Sequence, residues 1–288
     1  MSAVQSRYIE SCPVGCTAPL AVTDIVLPEG PLMRCAECGQ QVSQCTEAQY
    51  VRSLDRFDTA EGTLPAADSK ARRDEMGERR LRRVLALLDK KPRDVRLLDV
   101  GCSSGALLMT ARALGIAAEG VEPSAEAAET ARRAGLKVFT GFLEAAGFSD
   151  SAFDAVILME VIEHLREPRP MLAQCRRILK PGGILLITTP NVASWTASIM
   201  RARWDGFSLM AMGGHVSFFS PGSIRTIAER TGFEAVRIDT RNVRFFERGQ
   251  CPAAIYAVAK IGSELLNWPA QLCGKGHDML AYLRRPRA

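Results

Sequence analysis

Between residues 95 and 190 the chain repeats one pattern, a short apolar run, a turn, then an amphipathic segment. The runs are VRLLDVG (95–101), AAEGVEP (117–123), LKVFTG (136–141), FDAVILME (153–160) and ILLITTP (184–190). GALLMTARALG, SAEAAETARRAG and RPMLAQCRRILKPGG lie among them, each closed by glycine. Short runs of this kind suit strands buried on both faces. Their alternation with helices predicts an α/β fold, a mostly parallel sheet with helices on both faces. Upstream, Leu81, Val84, Leu85 and Leu88 fall at i, i+3, i+4 and i+7, predicting a helix that begins at Lys70 and stops before Lys91-Pro92. Downstream, SPGSIRTIAERTGF predicts a helix capped by Ser220 with Pro221 at its first position. EAVRIDT and DMLAYLRR supply a sixth and a seventh strand.

Composition narrows the classes. The 288 residues are 47% hydrophobic and 24% charged, as in an ordinary globular protein, and the formal charge of +5 does not announce nucleic acid. The basic run from Lys70 to Arg96 is interspersed with acids and reads as a solvated helix face. MSAVQSRYIESCP shows no secretory pattern, and no apolar run reaches membrane-spanning length. Five of the nine cysteines lie before residue 46, which fits a metal site in a reducing compartment better than a disulfide framework. A cytoplasmic protein is expected.

LLDVGCSSGALL is the most informative local motif. A strand delivers Asp99, a turn carries Gly101, Cys102, Ser103 and Gly105, and a helix opens where backbone N–H groups and the helix dipole attract a polar ligand. About twenty residues on, Glu122 ends the second strand in VEPS, placed to bind both hydroxyls of a ribose. The pair predicts a nucleoside-containing cofactor. Ser103 stands where the dinucleotide fingerprint needs its middle glycine, so NAD fits poorly.

LLDVGCSSG, VEPS, FDAVILMEVIEHLREP, LKPGGILLITTPN and GHVSFFSPGSIRTIAERTGF resemble, in order and spacing, the motifs of class I S-adenosylmethionine-dependent methyltransferases. The resemblance runs from about residue 75 to 240. It implies a Rossmann-like seven-stranded sheet with one reversed strand at an edge. It also implies S-adenosyl-L-methionine as cofactor, bound by Asp99, Gly101, Cys102, Ser103, Gly105, Glu122, Pro123, Leu143, Met159 and Glu160. Phe142 occupies the position where the family often has an Asp that contacts the adenine amino group. Either Phe142 packs on the adenine or that contact is lost.

MEVIEHLREP gathers Glu160, Glu163 and His164 at the carboxyl end of the fourth strand, where open α/β sheets bind ligands. With a helical turn there, the three share one side, and His215 in GGHVSFF can close over them. Such a set can hold Mg²⁺ or another divalent ion, act on the acceptor through Glu160, His164 and His215, or only frame a helix start. The E-x-x-E-H pattern with a distant His resembles ubiquinone-pathway O-methyltransferases and small-RNA 2′-O-methyltransferases.

At the front, Cys12, Cys16, Cys35 and Cys38 form two short pairs eighteen residues apart, the pattern of a structural Zn²⁺ ribbon, with Cys45 as a spare. A four-cysteine knuckle before such a domain resembles some bacterial sugar methyltransferases and some ribosomal-RNA methyltransferases. The expected organisation is a ribbon over 1–46, an irregular linker over 47–69 and a methyltransferase domain over 70–288. Residues 191–215 form a lid-like insertion in which Trp195, Met200, Trp204, Met210 and Met212 offer an apolar wall and Arg201 and Arg203 meet an anion. Residues 250–273 carry Val258, Ile261, Leu265 and Trp268 at helical spacing, predicted to pack on the sheet or on a second copy in a homodimer. The expected activity is O-methylation of a hydroxyl on a small-molecule or glycan acceptor. RNA methylation and a non-catalytic cofactor-binding scaffold stay open.

Overall fold

The computed structural model describes residues 6–54, 67–210, 213–245 and 252–287. Met212, in the expected apolar wall, and residues 55–66 of the expected linker lie outside them.

The first segment forms a hairpin, β1 (Leu20–Leu27) and β2 (Gly30–Cys35), followed by a short β3 (Gln41–Val42). The stretch expected to be irregular opens instead with a helix, α1 (Glu47–Leu54). Then comes α2 (Ala67–Leu88), whose Leu81, Val84, Leu85 and Leu88 are buried as their spacing predicts. The alternating region follows as β4 (Arg96–Val100), α3 (Ala106–Ala113), β5 (Ala117–Glu122), α4 (Ala125–Arg133), β6 (Val138–Thr140), β7 (Phe153–Met159), α5 (Pro168–Ile178) and β8 (Leu179–Pro190). A short α6 (Trp195–Met200) starts the insertion, and β9 (Ser217–Phe218) ends it. The chain closes with α7 (Pro221–Arg230), β10 (Glu234–Arg241), α8 (Ala253–Leu272) and β11 (Asp278–Arg284).

Seven strands form one sheet in the order β10-β11-β8-β7-β4-β5-β6. Neighbours from β6 to β8 run parallel, whereas β11 is antiparallel to both β8 and β10. The reversed strand therefore lies one place in from the edge, not at it, because the last strand slots between β8 and β10. Leu98, Val156, Leu158 and Ile187 face α5 and α7 on one side, while Leu97, Ile157 and Leu186 face α2 and α3 on the other. The central strands β4, β7 and β8 are apolar on both faces for that reason. Ser220 and Ser223 complete a reciprocal capping box at the start of α7, with Pro221 at its first position as expected.

The second sheet, β1-β2-β3-β9, joins the front of the chain to its middle, since β9 comes from the end of the insertion. Leu27 and Leu32 share a core with Val192, Trp204, Phe207 and Phe218. Ile9, Met33, Val42 and Cys45 share another with Leu209 and Val216.

α8 does not lay its apolar stripe on the sheet, the first of the two packings expected for it. Val258, Ile261, Leu265 and Trp268, predicted to pack against the sheet or a partner, keep 61–74% of their surface open to solvent.

Candidate active site

The carboxyl ends of β4, β5 and β7 form one rim. Asp99 sits in β4 almost fully buried, with Oδ1 accepting no hydrogen bond. Burial, with the nearby Glu122 charge adding, raises its pKa to about 7. Gly101 and Gly105 both have left-handed backbones, at φ 75° and 85°. A side chain at Gly101 would meet Val161, and one at Gly105 would meet Leu136, so glycine is required twice over. Glu122 is buried and holds the loop: Oε2 accepts from Ser103 N–H at 2.8 Å and Oε1 from Ser124 N–H at 2.9 Å. One carboxylate thus sets the glycine turn and the cap of α4 while keeping lone pairs for a ligand. Cys102 and Leu143 are buried, whereas Pro123 is exposed and Phe142 keeps 67% of its surface open at the end of β6. A bare aromatic face on a ligand rim suits stacking on a flat base.

At the end of β7 the backbone breaks sharply. Glu160 has φ 52°, a conformation costing an ordinary residue roughly 1–3 kcal/mol. Its N–H donates to Thr188 O at 3.0 Å, and the Thr188 hydroxyl donates to its Oε1 at 2.9 Å. The turn that follows is a tight 3₁₀ turn over Ile162–His164, not an α-helical one. Glu160 accordingly stays in the open cleft. Its carboxyl pKa is nonetheless raised by the surrounding protein mass, and the Asp278 charge adds to the effect. Glu163 turns inward.

Glu163, His164 and His215 meet at one point, their candidate ligand atoms all within 4.8 Å of one another. His215 Nε2 lies 3.9 Å from Glu163 Oε1, and the imidazoles of His164 and His215 meet edge to face at 4.8 Å. Glu160, expected in the same ligand set, falls outside this cluster. Neither Glu163 oxygen accepts a hydrogen bond although the residue is 1% exposed. Burial and the Glu160 charge beside it raise the Glu163 pKa strongly. Burial and mutual repulsion drop His164 to about 4, and burial lowers His215. His215 Nδ1 is oriented by Gly206 O at 3.1 Å. A buried carboxylate with no hydrogen bond, beside two neutral imidazoles, matches the donor set of a divalent ion.

Several neighbours escaped the sequence reading. Arg80 of α2 brings Nη1 to 3.2 Å from Met159 Sδ and places a cation beside Glu160. Thr188 was visible only as part of a strand. His277, the third histidine, is buried between Asp278 (Nδ1–Oδ1 2.8 Å) and Asp205 (Nε2–Oδ1 3.4 Å). Burial opposes its protonation, but the hydrogen bonds to Asp205 and Asp278 win and raise its pKa. Asp205 belongs to the insertion, so this network ties the insertion to the start of β11. The expected apolar wall is only partly one: Trp204 is 1% exposed in the core, and Met210 is 53% exposed. Arg201, expected to meet a ligand anion, pairs instead with Asp24 of β1.

At the front, Cys12, Cys16, Cys35 and Cys38 bring their sulfurs within 4.8 Å of one another, with Cys12 and Cys38 at 3.6 Å. Zn–S bonds of about 2.3 Å in a tetrahedron put sulfurs roughly 3.8 Å apart, so the four thiols fit that ion. Gly15, at φ 94°, provides the bulge that the longer first pair needs. Cys45 lies in a separate apolar cluster, outside this group.

The family model described as "Methyltransferase domain" matches residues 71–238. The chain belongs to the methyltransferase family. Curated relatives include the "Ubiquinone biosynthesis O-methyltransferase" of Dinoroseobacter shibae, 33% identical over 154 residues, covering 49% of this chain and 61% of that protein. The mitochondrial protein of the same name in Mus musculus is 33% identical, covering 48% of this chain and 41% of that one. The chain thus spans about three-fifths or less of the length of these relatives. Among solved structures, a SAM-dependent methyltransferase from Archaeoglobus fulgidus superposes with a TM-score of 0.51 at 20% identity, covering 73% of this chain and 94% of that one. Magnesium protoporphyrin IX methyltransferase from Synechocystis gives 0.51 at 14% identity, covering 82% and 97%. These structures share the methyltransferase fold.

Proposed function

We propose that this methyltransferase moves the methyl group of S-adenosylmethionine to a hydroxyl of a small molecule, a sugar or glycan first among them. The observation that carries the reading is the position of Glu160 and the Glu163–His164–His215 cluster, at the carboxyl end of the strand next to the glycine loop. Similarity to proteins named as O-methyltransferases supports oxygen as the acceptor atom.

The cofactor supplies an already activated methyl group, so the protein's task is to orient the acceptor and remove its proton. Asp99, the glycine loop, Glu122 and Phe142 hold the nucleoside and methionine portions on one side. Glu160 takes the hydroxyl proton: it is open to the cleft, held by Thr188, and its raised pKa makes it a better base than an ordinary carboxylate. His164, at about 4, is a weak base and serves better as a ligand. Glu163, His164 and His215 would hold a divalent ion. Of the divalent ions expected, one carboxylate and two imidazoles suit a transition ion better than Mg²⁺. Such an ion, when bound, lowers the pKa of a coordinated hydroxyl. Cys12, Cys16, Cys35 and Cys38 would hold one structural zinc. Among the described residues no helix is long and apolar enough to cross a membrane.

The test is methyl transfer from labelled S-adenosylmethionine to a panel of methyl glycosides and simple phenols, with and without EDTA and added Mn²⁺. Label entering a hydroxyl, lost in Glu160→Gln, supports the reading. Label entering only RNA or amines overturns it.

A further inference from the structure

Three consecutive carbonyls carry the backbone of the site, and each receives a hydrogen bond from outside the sheet. Glu163 O accepts from Val216 N–H at 3.0 Å. His164 O accepts from the Tyr50 hydroxyl at 3.0 Å. Leu165 O accepts from the Ser217 hydroxyl at 3.3 Å. Val216 and Ser217 are in turn held by the front of the chain: Val216 O accepts from Ser43 N–H at 2.9 Å, and Ser217 pairs with Val42. Tyr50 stacks on Tyr8 with ring centroids 4.3 Å apart, and Arg166, two residues beyond His164, lies over the Tyr8 ring at 5.2 Å. The front segment therefore grips the 163–166 turn from α1, from Tyr8 and through β9. The glycine loop is held instead from the next strand, by Glu122 and Val121.

We infer that Tyr50 is a positioning residue for the acceptor site, fixing His164, and His215 beside it, from the four-cysteine end of the chain. This rests on the catalytic reading given above. A hydroxyl-to-carbonyl bond between half-buried groups fixes a turn only if the donor is itself immobile. The Tyr8–Tyr50 stack, anchored by Tyr8 N–H on Cys45 O at 2.8 Å, makes it so. β3 and β9 fix the other imidazole, because His215 immediately precedes the residue they hold.

The chain has three histidines, which makes the test direct. Imidazole NMR resonances of His164, His215 and His277 are assigned, then compared in Tyr50→Phe, which keeps the ring and its stack. The His164 and His215 signals should shift while His277, held by Asp205 and Asp278, stays and reports an intact fold. In the methyl-transfer assay kcat should fall about three- to tenfold, with S-adenosylmethionine affinity by calorimetry unchanged within about twofold. Ser217→Ala, an independent variant, should move the same two signals. Unmoved His164 and His215 resonances in both variants overturn the inference. His164→Ala separates it from the catalytic reading. If that variant keeps full activity while Tyr50→Phe shifts the resonances, the catalytic role falls, and the inference with it, although the grip on the turn is real. If His164→Ala is inactive and Tyr50→Phe leaves signals and kcat alone, only the inference falls.

Discussion

The two halves of the cleft are built by different means. On the side proposed for the cofactor, Asp99, the glycine loop and Glu122 come from one β-loop-α-β stretch, and the bond from Ser103 to Glu122 spans nineteen residues. On the side proposed for the acceptor, a turn after β7 is held by Tyr50, 114 residues away from His164, and by the end of the insertion through His215 and Val216. Local assembly makes a site that tolerates change elsewhere. Assembly from distant segments makes one that many changes can loosen. The two halves should therefore fail separately.

The largest separation comes from Glu163→Ala or His215→Ala. Each should cut kcat by about 10²- to 10⁴-fold while cofactor affinity, read by calorimetry, stays within about threefold. Equal losses in both readouts would erase the distinction between halves. The converse is Glu122→Ala, which removes two charge-assisted hydrogen bonds from the loop and should weaken cofactor binding by about 30- to 1000-fold. Cys35→Ser should lower zinc from about one per chain, by elemental analysis, and reduce the melting temperature by roughly 5–10 °C. Cofactor affinity should survive at temperatures where the variant remains folded. A zinc content far below one in the unmodified protein would count against the four-thiol site.

A pH series sharpens the cofactor half. Asp99 has a folded pKa raised to about 7. A raised carboxyl pKa means its stabilising contribution is present below the unfolded value near 3.8 and fades as pH rises through 7. The same ionisation creates the anion that attracts a cationic cofactor. S-adenosylmethionine affinity should thus rise between about pH 6 and 8, by up to roughly tenfold, and Asp99→Asn should flatten the profile. Phe142→Ala, losing one stacking face, is the smallest effect, about three- to tenfold in cofactor affinity.

The same contrast explains what the sequence disclosed. The glycine loop and VEPS are legible because the contacts they make lie in the next strand. The seven strands were legible because apolar runs and glycine stops are local signals. E-x-x-E-H pointed to a cluster that does form, but misled on its membership. A helical reading puts Glu160 in one ligand set with Glu163 and His164, whereas Glu160, with its left-handed backbone, lies beside Glu163 but outside the group that Glu163 forms with His164 and His215. Nothing near Tyr50, Thr188 or His277 distinguishes them in one dimension, because their roles depend on segments over a hundred residues apart or on strands meeting at an edge. α8 is a case of a different kind. Its apolar spacing was plain, and of the two coverings expected for the stripe, sheet or second copy, the sheet does not provide one.

The pairing of β3 with β9 also has a meaning for how the protein is made. Synthesis proceeds from the front, so Val42 emerges long before Ser217, the strand partner that completes its sheet. At about 5–20 residues per second, the ribosome needs roughly ten to thirty seconds to supply it. Throughout that interval β3 presents an unpaired edge, and Leu27, Leu32, Met33 and Val42 lack their covering side chains from the insertion. Capture of zinc by the four early thiols during that wait would hold the hairpin in register until its last strand arrives.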